Sequence, residues 1–252
     1  MQRRLDVYLA AMGRSGSTLL CDLYSRYPTH WLMTEPWITR GSHGMSQLER
    51  VQRFGGTIAK EEWFRKIEGE SPLERFYRVY GPILEGLEFF GAKEVRGEFH
   101  EEYYRLLQPR KILILVRDIR DVIISLLEKT IIERKEGYDA AFTAQYLARN
   151  CQALMAFPRL VQDTELDVLK YEEFAVSETR RIQIDQFLGC TRLEQVPETG
   201  NISTRPWEIE RHGLRISDKS VYRFRSESTI EWSPLYHEIP ECRQYNAFFG
   251  YR

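Results

Sequence analysis

Apolar residues form two uninterrupted runs in this chain, and each run leads through a polar turn into apolar residues at helical spacing. The first run covers residues 6–12 and ends at Gly13, after which the leucines of residues 18–24 share one side of a predicted helix. The second run covers residues 111–116 and precedes a helical pattern over residues 122–127. A continuous apolar run is typical of a strand buried on both faces. Two such strand-to-helix units predict a parallel sheet.

The remaining sequence divides into helical patterns, one further strand and one loop. Residues 47–104 are charged and aromatic and are predicted to be mostly helical, whereas residues 167–171 predict a third short strand. Residues 196–227 contain prolines and glycines with little periodicity and predict a long surface loop. Loops of that length are usually functional lids or disordered, so this loop belongs among the site candidates. Further helices are predicted at residues 101–107, ended by Pro109, at 138–161, and at 180–188, closed by Gly189.

Composition supports one globular domain over residues 1–252. Hydrophobic residues make up 42% of the chain and charged residues 29%, which is ordinary for a soluble fold. With the strand-to-helix units, this predicts an α/β fold of three layers, similar to P-loop proteins, with a central and mainly parallel sheet flanked by helices. The formal net charge of −1 gives no support for binding to nucleic acid or to a membrane surface.

Neither a cysteine framework nor a targeting segment is indicated. The four cysteines are scattered and contain no Cys-x-x-Cys pair, so we expect reduced thiols and no metal cluster. The apolar run before Gly13 is too short for the core of a signal peptide. No stretch approaches the roughly 20 apolar residues that cross a bilayer. We therefore expect no transmembrane segment and a cytoplasmic location.

The turn after the first strand has the composition of a phosphate-binding loop. Its residues are Gly13, Arg14, Ser15, Gly16, Ser17 and Thr18, followed by Leu19. Glycines allow the backbone to approach an anion, backbone N–H groups and hydroxyls donate to it, and the arginine neutralises charge. The nucleotide-hydrolase loop has a lysine after its last glycine, and that lysine is missing here, which argues against ATP hydrolysis.

A second anion half-site follows the second predicted strand. Arg117 comes directly after that strand, and Ser125 lies eight positions later on the predicted helix. Arginine offers a bidentate fork to a phosphate and serine a neutral donor. Because ligands of open α/β sheets bind at the carboxyl ends of the strands, we expect both side chains to reach one further phosphate.

Together these two segments resemble the two motifs with which sulfotransferases bind 3′-phosphoadenosine 5′-phosphosulfate (PAPS). The first resembles the 5′-phosphosulfate loop and the second the 3′-phosphate motif. Weaker similarities, closest to carbohydrate sulfotransferases, occur in the expected order at residues 35–36, 93–96, 170–174 and 249–251. The resemblance implies sulfuryl transfer from PAPS to a hydroxyl acceptor, with adenosine 3′,5′-bisphosphate as product and no metal. It also implies a carbohydrate, glycolipid or other hydroxyl-bearing small molecule as acceptor.

The resemblance further suggests residue roles and leaves the catalytic base open. Arg14 would stabilise the departing group, and Lys93 the transferred charge. The base is either Glu35, which resembles the glutamate of some family branches, or His100, because another branch uses a histidine in this region. Tyr171 resembles a residue that contacts adenine. The Arg-Lys-Gly tripeptide that closes over the nucleotide in the soluble branch is missing, and the segment around Lys219 and Arg223 occupies a comparable position.

Two other functions remain open from the sequence. The first is a P-loop kinase or nucleotide hydrolase, which would need a lysine after Gly16 and a carboxylate that holds a metal. The second is a scaffold that binds nucleotide without turnover.

Overall fold

A five-stranded sheet, parallel throughout, forms the centre of the molecule, with the strand order β2-β3-β1-β4-β5. A computed structural model describes residues 3–36, 38, 48–49, 51–52, 57–65, 67–134, 139–198, 200, 209–210, 213–226 and 231–252, with residues 131–134 described by their backbone alone. The strands are β1 (Val7–Ala11), β2 (His30–Thr34), β3 (Phe89–Glu94), β4 (Lys111–Val116) and β5 (Glu165–Lys170).

Helices follow the strands and connect them. In chain order the α-helices of the described residues are α1 (Ser17–Leu23), α2 (Lys60–Phe64), α3 (Pro72–Leu84), α4 (His100–Leu107), α5 (Ile119–Arg134), α6 (Ala140–Leu160), α7 (Tyr171–Val176), α8 (Glu178–Leu188), α9 (Ser233–Glu238) and α10 (Pro240–Phe248). Short 3₁₀ turns lie at Gly97–Phe99, Asp218–Ser220 and Arg223–Arg225. Among the described residues we find no helix both long and apolar enough to cross a bilayer.

Apolar residues pack on both faces of the sheet. All five residues of β1 are buried, and they alternate between two clusters. Tyr8 and Ala10 pack with side chains of α3, α4 and α6, whereas the other three β1 residues pack with side chains of α1, α7 and α8. The α/β fold of three layers with a central parallel sheet is therefore confirmed.

Strands β2 and β3 were not predicted, and the mostly helical interpretation of residues 47–104 is wrong for Phe89–Glu94. Strand β3 contains a glycine, a lysine and a glutamate, so its sequence does not have the continuous apolar run of a buried strand. A Cβ on Gly91 would lie 2.6 Å from side-chain atoms of both Val7 and Leu32 on the neighbouring strands. Lys93 and Glu94 are 1% and 0% exposed, and each is neutralised by an ion pair.

Other boundaries follow the sequence closely. Helix α8 ends at Leu188 and is closed by Gly189 as predicted, with Gly189 in the left-handed conformation at φ 75°. Helix α6 begins after Asp139, whose side chain accepts a hydrogen bond from the N–H of Phe142 at 2.9 Å. The third predicted strand ends one residue early, because Tyr171 begins α7. Within the predicted loop of residues 196–227, residues 199, 201–208, 211–212 and 227 lie outside the described part of the chain.

Candidate functional site

The glycine-containing loop lies at the carboxyl end of β1 and requires both an unusual backbone and close packing. Arg14 and Gly16 adopt left-handed conformations, with φ 71° and 92°. A Cβ on Gly16 would lie 2.4 Å from the Tyr171 ring, so glycine is needed there for space as well as for conformation. Ser15 is fully buried, and its Oγ donates to the carbonyl of Met12 at 2.7 Å. Ser15 therefore stabilises the turn rather than lining a cavity.

The two predicted half-sites lie in contact. Arg14 Nε donates to Ser125 Oγ at 3.1 Å, although the residues are 111 positions apart in the chain. Arg117 Nη1 donates to the backbone carbonyl of Arg14 at 3.1 Å, and the Arg117 guanidinium lies 4.8 Å from the centre of the Tyr171 ring. Arg117 Nε is buried and has no hydrogen-bond partner among the described residues. The guanidinium groups of Arg14 and Arg117 therefore lie at one site, at the carboxyl edge of the sheet.

This place is a cavity that most of the predicted nucleotide-binding residues line. They are Arg14, Gly16, Ser17, Thr18, Leu19, Arg117, Ser125 and Tyr171. The loop after α8 completes the wall with Gly213, Arg215, Ser217 and Ser220. Sequence reasoning missed Arg215, because the loop contains many arginines and serines without a period that would distinguish one of them.

The structure places Lys219 and Arg223 outside this cavity, although both were predicted to bind the nucleotide. Lys219 is exposed, and Arg223 Nη1 donates to Glu128 of α5 at 2.9 Å. Arg215 from the same loop reaches the cavity instead. Residues 213–225, which we call the covering loop, therefore line the cavity, and the cation that they contribute is Arg215.

Hydrogen bonds fasten the covering loop to the second motif. Asp121, at the start of α5, accepts from the N–H of Phe224 at 3.1 Å, and Arg117 donates to the carbonyl of Ser220. Burial raises the pKa of Asp121, while the nearby Arg117 opposes that rise. The second motif thus lines the cavity through Arg117 and Ser125, and it binds the covering loop through Arg117 and Asp121.

A second cavity of about 340 Å³ lies on the other side of the phosphate loop. Arg14, Ser17 and Thr18 line both cavities, so they form the wall between them. The second cavity is otherwise lined by Gly13, Glu35, Lys93, Val95, Leu126, Lys129, Thr130, Asp139, Phe142, Thr143 and Tyr146. A group bound at the shared wall would face both spaces.

Glu35 and Lys93 meet in the second cavity because their strands are parallel neighbours. Glu35 directly follows β2, and Lys93 lies on β3 in register with Thr34. Lys93 Nζ donates to Glu35 Oε1 at 2.7 Å. The Lys93 side chain is almost fully buried, whereas that of Glu35 is 34% exposed toward solvent. Both residues line the cavity, and the carboxylate is the more accessible group of the pair.

His100 lies in the core, away from both cavities. It is 1% exposed, its Nδ1 lies 2.9 Å from the hydroxyl of Tyr8, and its ring packs against Phe157. Burial lowers the pKa of His100 to about 3. Since α4 begins at His100 and packs on the sheet, the side chain points into the protein, and we do not retain His100 as a candidate base.

Two weaker sequence similarities converge behind the second motif. Glu172 of α7 accepts hydrogen bonds from the N–H of Asp118 at 3.0 Å and from the hydroxyl of Tyr251 at 2.8 Å. Burial raises the pKa of Glu172. Residues 170–174 and 249–251 therefore hold the turn that carries Arg117 rather than lining the cavity themselves, with the exception of Tyr171.

Comparison with known proteins identifies the fold. No protein-family model and no curated protein matches the chain. The sulfotransferase domain from the Synechococcus PCC 7002 olefin synthase matches 100% of this chain and 98% of its own, with a TM-score of 0.57 and 15% identity. This chain has the fold of a sulfotransferase domain.

Two further sulfotransferase structures agree with this finding. The sulfotransferase domain from the curacin biosynthetic pathway matches 100% of this chain and 99% of its own, with a TM-score of 0.54 and 16% identity. A sulfotransferase from Alicyclobacillus acidocaldarius matches 100% and 98%, with a TM-score of 0.52 and 14% identity. At such identities the similarity establishes the sulfotransferase fold, and the activity must be argued from the residues.

Proposed function

We propose that this protein transfers a sulfuryl group from PAPS to a hydroxyl of a small acceptor. The observation that carries the proposal is the contact of Arg14 with Ser125, at 3.1 Å, which joins two anion half-sites in one cavity. A nucleotide with phosphates at both its 5′ and 3′ positions needs two such half-sites. A nucleoside triphosphate does not use a 3′ half-site.

The donor would lie in the first cavity. Arg117 and Ser125 would bind the 3′-phosphate, and Arg14 with Ser17 would bind the 5′-phosphosulfate at the wall between the cavities. The Tyr171 ring, packed against Gly16 and under the Arg117 guanidinium, would border the nucleotide. Arg215 of the covering loop would add a further cation.

The acceptor would lie in the second cavity, with its hydroxyl between Glu35 and the sulfuryl group. Glu35 would accept the hydroxyl proton as the acceptor oxygen bonds to sulfur. The bond from sulfur to the bridging oxygen breaks at the same time, and adenosine 3′,5′-bisphosphate leaves with the electron pair. Arg14 and the loop donors would stabilise the charge on that leaving group, and Lys93 would hold Glu35 in position.

We propose a carbohydrate or a glycolipid as the acceptor, because the sequence around Glu35 and at residues 249–251 resembles that of carbohydrate sulfotransferases. The lining of the second cavity supports an acceptor that has both polar and apolar parts. It combines hydroxyl and charged groups with apolar side chains, and Phe142 at its border is 61% exposed. An aromatic side chain placed in this way can stack on a sugar ring or on another apolar face.

The proposal is tested by following labelled sulfate from PAPS to a panel of sugars, glycolipids, small alcohols and tyrosine peptides. We expect label on at least one hydroxyl acceptor with the wild-type protein, and transfer about 10²-fold slower or more with Glu35→Gln. Magnesium-dependent ATP turnover without sulfuryl transfer would contradict the proposal in favour of a kinase or hydrolase. Tight binding of adenosine 3′,5′-bisphosphate without transfer to any acceptor would favour the non-catalytic scaffold.

A further inference from the structure

The structure points to a residue of the transfer site that the sequence motifs do not contain. We propose that the Tyr146 hydroxyl, fixed by the N–H of Gly13, donates a hydrogen bond to an oxygen of the sulfuryl group where the two cavities meet. This inference rests on the proposed sulfuryl transfer and adds a substrate-contacting residue to it.

The Tyr146 phenol lies between the phosphate loop and the second cavity. Tyr146 lies on α6, 133 positions from Gly13 in the chain, yet its Oη accepts a hydrogen bond from the Gly13 N–H at 3.1 Å. Gly13 opens the phosphate loop, so this contact places the phenol beside the predicted 5′-phosphosulfate site. Tyr146 also lines the second cavity together with Arg14 and Ser17, which form part of the wall between the cavities.

The hydrogen-bonding capacity of the phenol also points to a ligand at this place. A tyrosine hydroxyl both accepts and donates. Its oxygen accepts from Gly13, and no described residue accepts its hydrogen. The side chain is partly buried and lines the second cavity, so its hydroxyl hydrogen can reach an oxygen of a ligand bound there.

The protonation state is consistent with a donor and not with a base. Burial raises the pKa of Tyr146 to about 12, and the nearby carboxylate of Glu35 adds to the rise. The charged groups that face the phenol are Glu35, Glu98 and Arg14. The hydroxyl therefore keeps its proton at neutral pH, and Glu35 remains the group that accepts the acceptor proton.

Close packing at Gly13 shows that the phenol position is tightly defined. A Cβ on Gly13 would lie 2.6 Å from Tyr146 Oη. The loop therefore leaves room for the hydroxyl only because residue 13 has no side chain. A donor fixed in this way can orient the sulfuryl group for in-line attack without first ordering a mobile side chain.

Comparing two ligands that differ by the sulfuryl group tests the inference. The affinities of wild type and Tyr146→Phe are measured for PAPS and for adenosine 3′,5′-bisphosphate, which lacks that group. We expect the variant to bind the bisphosphate within about twofold of wild type and PAPS about tenfold more weakly. Tyr104→Phe is the control, because its hydroxyl donates to the carbonyl of Gln162 outside the site. Retained bisphosphate binding also shows that the variant is folded.

Other outcomes overturn the inference in distinguishable ways. Equal weakening for both ligands would mean that Tyr146 only supports the Gly13 backbone. Unchanged affinity for both would remove Tyr146 from the site while leaving the proposed transfer intact. Failure of the wild-type protein to bind either ligand would overturn the proposed function itself, and the role of Tyr146 with it.

Discussion

Arg14 Nε lies 3.1 Å from Ser125 Oγ, and this contact joins a loop near the start of the chain to a helix 111 positions later. Arg14 follows β1, and Ser125 lies on the helix that leaves β4. Because β1 and β4 are parallel neighbours in the sheet, their carboxyl ends bring the two segments to one edge. The contact therefore follows from the topology, and each residue belongs to a different predicted phosphate site.

Replacing Ser125 tests whether this contact marks a phosphate site. We expect Ser125→Ala to weaken the binding of adenosine 3′,5′-bisphosphate about tenfold or more, since hydrogen bonds to charged groups contribute roughly 1.5–3 kcal/mol. Thr164→Ala is the control, because Thr164 lies outside the lining of both cavities and its hydroxyl donates to the carbonyl of Gln162. Calorimetric titration measures the affinity of both variants for adenosine 3′,5′-bisphosphate. Equal affinity of Ser125→Ala and wild type would remove Ser125 from the nucleotide site.

Replacing Glu35 separates catalysis from binding. We expect Glu35→Gln to lower the rate of sulfuryl transfer by about 10²- to 10⁴-fold, because the amide cannot accept the acceptor proton. Nucleotide affinity should stay within about threefold of wild type. Glu98→Gln is the control: Glu98 also faces Tyr146 but lies outside the cavity lining and pairs with Arg149 at 3.7 Å. Equal rates for Glu35→Gln and wild type would assign the base elsewhere.

A pair of substitutions tests the packing of the phosphate loop. Gly13→Ala should destabilise the protein by about 1–3 kcal/mol, since its Cβ would lie 2.6 Å from the Tyr146 hydroxyl oxygen. In a Tyr146→Phe background the nearest tyrosine atom left is the ring carbon at 3.8 Å, an ordinary contact. We therefore expect the cost of Gly13→Ala to shrink in that background, as measured by denaturant unfolding in a double-mutant cycle. Identical costs in both backgrounds would contradict the geometry.

The buried His100 predicts a dependence of stability on pH. Its pKa is about 3 in the folded protein and about 6.5 when unfolded, so the unfolded state binds more protons between these values. The stability that neutral His100 contributes is therefore present above about pH 6.5 and is lost as the pH falls toward 3.

Unfolding titrations of wild type and His100→Gln at several pH values measure this loss. We expect the wild type to lose stability relative to the variant by up to about 1.4 kcal/mol per pH unit below pH 6.5. His237→Gln, at an exposed histidine, is the matched control. Parallel curves for wild type and His100→Gln would show that His100 does not titrate in this way. His100→Gln should also retain sulfuryl transfer.

The sequence predicted the parts of the site that belong to local patterns. An apolar run followed by glycines and hydroxyls marked the phosphate loop, and an apolar run followed by arginine marked the second motif. Both patterns depend on neighbouring residues alone, and the structure brings both segments into one cavity.

The rest of the site depends on contacts between distant residues. Strand β3 was missed because Lys93 and Glu94 look exposed in sequence, and only their ion pairs with Glu35 and Arg96 explain their burial. Tyr146 was missed because its role depends on Gly13, 133 positions away. His100 was a candidate because its position in the chain resembled a family histidine, but chain position does not determine the direction in which a helix presents a side chain.

The central claim is that the protein recognises a nucleotide by phosphates at both its 5′ and 3′ positions. Calorimetric titration in metal-free buffer with adenosine 3′,5′-bisphosphate and with adenosine 5′-phosphate measures this directly. We predict that the wild type prefers the bisphosphate by about 10²-fold, and that Arg117→Ala removes most of the preference, because Arg117 is the buried cation at the 3′ half-site. Equal affinity of the wild type for the two nucleotides would contradict the account.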